Sequence, residues 1–67
     1  MKIYVNDTAI DTPVNSSLFC VLEQQGLTTK TGIAVAVNQS VISKSNWATT
    51  TLEESSKIII IQATQGG

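Results

Sequence analysis

Four consecutive isoleucines, Ile58 to Ile61, constrain the fold of this chain more than any other feature. Isoleucine is β-branched, stiff at χ1 and favoured in strands, so the run predicts a strand in the middle of a sheet. The five residues from Ala63 to Gly67 are small or polar and have little apolar surface to bury. We therefore expect a folded domain over residues 1–62 and a flexible tail over 63–67.

The tail ends in two glycines, Gly66 and Gly67. Glycine has no Cβ to hinder attack at its carbonyl, and it lets the backbone enter a narrow groove. Five extended residues reach about 16 Å, which is far enough to enter the active site of a partner. A merely frayed terminus is the alternative. We favour a tail that presents the Gly67 carboxylate.

The length and charge of the chain exclude several functions. A chain of 67 residues holds one small domain, which leaves little room for an enclosed substrate cavity. Four lysines, five acidic residues and three aromatic residues provide neither a basic stripe nor a stacking surface, so nucleic-acid binding is disfavoured. An enzyme with its own enclosed active site is equally disfavoured.

Histidine is missing and cysteine occurs once, at Cys20. Histidine-based nucleophilic triads and the common zinc patterns therefore lack their residues, and we expect no metal site. A lone cysteine excludes an internal disulfide and suits a reducing compartment. With no signal peptide and no apolar run long enough to span a membrane, we expect a cytoplasmic protein without a membrane partner. We interpret Cys20 as an incidental thiol on the outer side of a helix.

The first half of the chain predicts a hairpin followed by a helix. Lys2–Val5 alternates polar and apolar residues, Asn6–Asp7 suits a turn, and Thr8–Thr12 resumes the extended pattern. A helix over Leu18–Gln25 follows, with one apolar face. Ser17 is its expected N-cap and Gly26 its expected left-handed end, after which Leu27 can contact Leu22.

The second half predicts three more strands. Ile33–Val37 places its large residues on one face and its alanines on the other; Asn38–Gln39 forms a turn, and Val41–Ile42 forms a short strand. A polar, irregular segment over 43–56 follows, in which Trp47 covers one end of the core. The isoleucine strand completes the set. This order predicts an α+β fold with a mixed sheet of four to five strands and one helix on one face. A right-handed crossover places the last strand beside the first, parallel to it and central.

The Gly67 carboxylate is the one chemically distinctive group. A carboxylate is a poor electrophile because it is anionic and its oxygen leaves badly. Joining it to AMP removes the charge and creates a leaving group, but this step requires an ATP-using partner. A sulfur nucleophile then yields a thiocarboxylate, whereas a lysine amine yields an isopeptide.

Several segments together match a known family, and they span nearly the whole chain: Ile3–Asn6, Leu22–Gln24, Ile33–Gln39, Val41–Ile42, Lys44, Trp47, Ile58–Gln62 and Gly66–Gly67. With these segments the chain resembles the ubiquitin-like β-grasp proteins. Among them it is most similar to the sulfur carriers of thiamine (thiazole) biosynthesis, the ThiS type.

The resemblance implies a series of partner enzymes. A ubiquitin-activating-type adenylyltransferase would adenylate Gly67 with ATP, and a cysteine desulfurase system would supply the sulfur of a thiocarboxylate. Thiazole synthase would then take up that sulfur. Thr64, Gln65 and Gly66 would present the terminus. The chain itself would be a co-substrate that binds no cofactor, and not an enzyme.

The resemblance also assigns the faces of the last strand. Ile58 and Ile60 should face the helix, whereas Ile59 and Ile61 should face the open side of the sheet. With Tyr4 and the alanines of the Ile33–Val37 strand they would form an exposed apolar surface on which partners dock.

The chain departs from the family pattern at three places. Relatives usually carry an Asp-Gly-Asp type turn before the last strand, where this chain has Glu54–Lys57. Ser43 replaces a common proline, and Gln65 replaces a small or apolar residue. The first change bears on the turn, and the last on which partner channel fits the tail.

Three other functions fit the same features. The small subunit of molybdopterin synthase shares the mechanism, but its relatives are longer and carry a Phe-Pro-Pro segment that this chain lacks. Another is a ubiquitin-like modifier or sulfur carrier of a different pathway. The third is a β-grasp interaction module whose glycines do not react.

Overall fold

A computed structural model describes residues 1–29 and 31–62 of the chain. Along the chain the elements follow in the order strand, strand, helix, strand, strand, short helix, strand. Their bounds are β1 (Lys2–Val5), β2 (Thr8–Asp11), α1 (Leu18–Gln24), β3 (Ile33–Val37), β4 (Ser40–Ile42), a 3-10 helix (Lys44–Asn46) and β5 (Lys57–Gln62).

Both hairpins close through two-residue turns. Asn6 and Asp7 connect β1 to β2 with φ values of 49° and 69°, and Asn38 and Gln39 connect β3 to β4 with φ values of 49° and 75°. Positive φ at both central positions is typical of the type I′ turn, whose twist matches that of the flanking strands. Both predicted turns are confirmed.

The five strands form one mixed sheet in the order β2-β1-β5-β3-β4. β5 pairs with β1 in parallel, in the register Tyr4 to Lys57, and with β3 antiparallel, in the register Ala36 to Ile59. The isoleucine strand is therefore central and parallel to the first strand, as the crossover argument predicted.

Both ends of α1 follow the predicted capping pattern. The Ser17 hydroxyl accepts a hydrogen bond from the Cys20 amide at 3.1 Å. At the other end Gly26 has φ +71°, and the Leu27 amide donates to the Leu22 carbonyl at 2.9 Å, which is a Schellman motif. The helix ends at Gln24, one residue before the predicted end, because the next residue is its C-cap. Within the described ranges, no helix has the length and hydropathy needed to cross a membrane.

The core lies between α1 and one face of the sheet. The helix contributes Leu18, Val21 and Leu22, which are fully buried. The rest of the buried cluster comes from the sheet and from the segment before β5: Ile3, Val5, Val35, Trp47, Leu52 and Ile58. The Trp47 indole Nε1 donates to the Ile42 carbonyl at 3.2 Å, so its polar atom is satisfied while its ring is buried.

Two details of the sequence prediction were wrong. The segment 43–56 is not wholly irregular, because Lys44–Asn46 forms a 3-10 helix in which the Asn46 amide donates to the Ser43 carbonyl at 2.9 Å. β2 ends at Asp11, although the Thr12 amide still donates to the Met1 carbonyl at 2.9 Å. A single polar turn and a strand end leave almost no periodic signal in a sequence.

Candidate functional site

The face of the sheet opposite α1 carries exposed apolar side chains. Ile59 is 41% exposed and Ile61 is 62% exposed, whereas Ile58 is fully buried and Ile60 packs against the core. The predicted inward and outward assignment of β5 is therefore confirmed. Tyr4 is partly exposed on β1. We call this side of the sheet the open face.

Val41 also belongs to the open face, which was not predicted from the sequence. Ala36 pairs with Val41 on one side and with Ile59 on the other, so these three residues form a row across β4, β3 and β5. Val41 is 78% exposed. The alternation of large residues and alanines along β3 shows which side of that strand faces the core. Which side chains of β4 share the open face depends on the register of β4 with β3, which the sequence does not give.

The part of the open face that lies over β1 and β2 is polar. Tyr4 pairs with Lys57 of β5, and Lys2 lies opposite Asp11 in the β1–β2 ladder. Lys2, Asp11 and Lys57 are exposed. The open face therefore combines an apolar area over β5, β3 and β4 with charged side chains on β1, on β2 and at the first residue of β5, a combination typical of surfaces that bind other proteins.

Two depressions adjoin Lys57. One is lined by Asn38, Gln39, Lys57 and Ile59, and the other by Tyr4, Asp7, Ser55 and Lys57. Both are open to solvent. Open depressions of this kind suit contact with a protein surface better than they suit enclosure of a small substrate.

The turn before β5 is held by hydrogen bonds despite its lack of glycine. Ser55 takes a positive φ of 67°, and its amide donates to the Lys2 carbonyl at 2.7 Å. The Ser56 hydroxyl accepts from the Glu53 amide at 2.9 Å, and the Glu54 carboxylate accepts from the Lys2 amide at 2.9 Å. Ser55 therefore adopts the left-handed conformation that a glycine adopts more easily.

β5 leads directly toward the predicted tail. Its pairing with β3 continues to the last residue of the strand, where Gln62 lies opposite Ile33. Thr64, Gln65, Gly66 and Gly67 lie outside the described residues, so the predicted site is represented here by the strand that precedes it and by the open face beside that strand. The division of the chain at residue 62 remains a prediction.

Other reactive side chains are dispersed. Cys20 is exposed on α1, as predicted. Among residues 1–29 and 31–62, no three histidine, cysteine or acidic side chains come together in a way that could hold a metal ion.

Comparison with known proteins identifies the family of the chain. A family model described as the ThiS family matches residues 1–67. The crystal structure of a thiamine biosynthesis protein (ThiS) from Geobacter metallireducens superposes with a TM-score of 0.81 at 17% identity, covering 100% of both chains. The solution NMR structure of a thiamine biosynthesis protein from the same organism gives a TM-score of 0.77 at 17% identity, covering 100% of this chain and 88% of that one.

A search of curated proteins gives no significant match. At such low identity the two solved structures bear on the fold, and they agree with the ubiquitin-like β-grasp arrangement predicted from the sequence. The family model covers every residue of the sequence, including the two final glycines. The chain therefore belongs to the ThiS family.

Proposed function

We propose that this chain is the sulfur carrier of a thiazole-forming pathway in thiamine biosynthesis, and that Gly67 is the residue that carries the sulfur. The observation on which the proposal rests is the match of the ThiS family model to residues 1–67, which includes the Gly66–Gly67 end. The position of β5 supports it, because a central strand that runs to Gln62 places a rigid body five residues before that carboxylate.

The chemistry proceeds in three steps at the Gly67 carboxyl group. A carboxylate oxygen attacks the α-phosphorus of ATP, pyrophosphate leaves, and an acyl adenylate forms. The terminal sulfur of a persulfide supplied by a cysteine desulfurase system then attacks the carbonyl carbon, and AMP leaves with the electron pair of the C–O bond, which gives an acyl disulfide. A thiol, acting as the reductant, attacks the far sulfur of this disulfide and forms a new disulfide with it; the S–S bond to the carrier breaks and releases the thiocarboxylate that thiazole synthase consumes.

The carrier contributes binding and presentation to these steps. We assign the nucleotide site to the ubiquitin-activating-type adenylyltransferase, and the openness of the two depressions beside Lys57 supports this assignment. The open face, with Tyr4, Ile59 and Ile61, is the surface on which the adenylyltransferase and thiazole synthase dock. In this scheme the chain is consumed and regenerated as a co-substrate, and the catalytic groups belong to its partners.

The test is mass spectrometry of the chain after incubation with its activating enzyme, ATP and a sulfur donor. We expect the mass to rise by about 16 Da, the difference between sulfur and oxygen, at an activated carboxyl group. Deletion of Gly67, or addition of one residue after it, should abolish the shift and leave the thermal transition unchanged, because the tail lies beyond the last strand.

Two results would contradict the proposal. One is a wild-type chain that keeps its mass under these conditions, and the other is an extended chain that still receives sulfur. Branched Gly-Gly remnants on the lysines of other proteins would instead support a modifier.

A further inference from the structure

The side chain of Asn6 continues the pairing of β1 with β5 beyond the end of β1. The backbone register of the two strands ends at Val5 and Ile58, and the Asn6 amide donates to the Ile58 carbonyl at 2.9 Å. The type I′ turn then directs the chain away from β5. The next group of β5 on this side, the Ile60 amide, donates to Oδ1 of Asn6 at 2.8 Å.

The Asn6 carboxamide takes the place of a peptide group. Its Oδ1 accepts from the Ile60 amide, and its Nδ2 donates to the Ile60 carbonyl at 3.4 Å. A carboxamide offers the same donor and acceptor as the backbone, so one side chain supplies both halves of a further ladder step. After Ile60, the rest of β5 as far as Gln62 pairs with β3 alone.

Asn38 provides an internal comparison. It occupies the same first position of the other hairpin turn with the same φ of 49°. Its Oδ1 accepts from the Lys57 amide at 2.9 Å, and its own amide donates to the Lys57 carbonyl at 2.8 Å. The two asparagines therefore bind β5 on opposite edges, Asn38 at its first residue and Asn6 near its last.

We propose that Asn6 is a positioning residue for sulfur transfer: its carboxamide fixes the end of β5 from which the reactive terminus departs. This inference rests on the proposed function. Ile60 lies between Ile59 and Ile61, so an anchor at the Ile60 backbone also holds the two apolar side chains of the open face in their register.

The expected consequence is a change in binding and not in the chemical step. Without the Asn6 carboxamide, the end of β5 is held on one edge only and separates from the sheet more often. If partners bind only the ordered form, the apparent affinity is the affinity of that form multiplied by the fraction of carrier that is ordered. The KM for the carrier should therefore rise, whereas kcat should stay the same because the bound complex is unchanged.

The experiment compares Asn6→Gly with Asn38→Gly. Glycine accepts the positive φ of both turns, so each variant removes a carboxamide and keeps the turn conformation. Two quantities are measured: amide hydrogen exchange along β5, and the KM and kcat of adenylation from ATP–pyrophosphate exchange with the activating enzyme.

For Asn6→Gly we expect exchange of the Ile60 amide to accelerate about fivefold, as the loss of one hydrogen bond implies. The KM should rise at constant kcat by at most the same factor, because the ordered fraction cannot fall by more than the opening equilibrium grows. Asn38→Gly should accelerate exchange of the Lys57 amide and raise the KM less than Asn6→Gly does, because Asn38 anchors the first residue of β5 and not its end. Asn6→Asp retains the acceptor for the Ile60 amide but loses the donor to the Ile60 carbonyl, so it should restore only part of the protection and of the wild-type KM.

Three outcomes would overturn the inference: unchanged exchange at Ile60 in Asn6→Gly, an unchanged KM in that variant, or the same rise in KM for both glycine variants. Failure of the proposed function looks different, because then the wild-type chain itself shows no ATP–pyrophosphate exchange.

Discussion

Ser55 is a non-glycine residue in the left-handed region, with φ 67°, at the turn before β5. A side chain in this region costs roughly 1–2 kcal/mol, and glycine escapes most of that cost at the expense of greater freedom in the unfolded chain. Ser55→Gly should therefore raise the free energy of unfolding by about 0.5–1 kcal/mol. Chemical denaturation with far-UV circular dichroism measures the change.

The neighbouring serine is the matched control. Ser56 is buried, and its hydroxyl accepts a hydrogen bond from the Glu53 amide at 2.9 Å. Ser56→Gly should lower the free energy of unfolding by about 1–3 kcal/mol because it leaves the partner amide without its acceptor. If the two variants shift stability in the same direction, the left-handed strain assigned to Ser55 is wrong.

At the scale of the element, β5 has one deeply buried side and one exposed side. Ile58→Ala should lower the free energy of unfolding by about 2–5 kcal/mol because it opens a cavity against α1. Ile60→Ala should cost less, since Ile60 is only partly buried, and Ile61→Ala should change stability by about 0.5 kcal/mol at most. Thermal denaturation of the three variants tests this order, and an equal loss at Ile58 and Ile61 would contradict it.

The strands and the helix were predictable because their signals are local and periodic. Lys2–Val5 alternates, Ser17 and Gly26 bracket the helix, and Asn6 and Asn38 suit turns with positive φ. These features need only the neighbouring residues, so a sequence reveals them directly.

The features that escaped prediction depend on contacts between distant residues. The faces of β4, and with them Val41, follow from its register with β3. The side-chain hydrogen bonds of Asn6 join residues 54 positions apart in the chain. The left-handed conformation of Ser55 accompanies the docking of its turn on Lys2, which residue type alone does not reveal.

At the scale of the whole molecule, the helix covers one side of the sheet and leaves exposed the open face, which we propose as the docking surface. Ile61→Asp should raise the KM for adenylation about tenfold, equivalent to roughly 1.4 kcal/mol of lost binding, because it places a charge within the apolar area. Measurement requires steady-state kinetics at several carrier concentrations.

Val14→Asp is the control for this prediction. Val14 is 71% exposed and lies in the segment between β2 and α1, outside the strands that form the open face. A charge there should leave the KM unchanged. Equal effects of the two substitutions would show that general loss of surface apolarity, and not docking through the open face, governs the reaction.

The central position of β5 has a consequence for how the protein acquires its structure. β5 is the strand that joins the two hairpins, and it follows both of them in the chain. The hairpins cannot unite until that segment has been synthesised, and the β1–β5 pairing then closes a loop of more than fifty residues. Such long-range pairing slows folding compared with a helical domain of equal size. A nascent chain interrupted before Lys57 would carry two separate ribbons with exposed apolar faces, a natural substrate for chaperones and proteases.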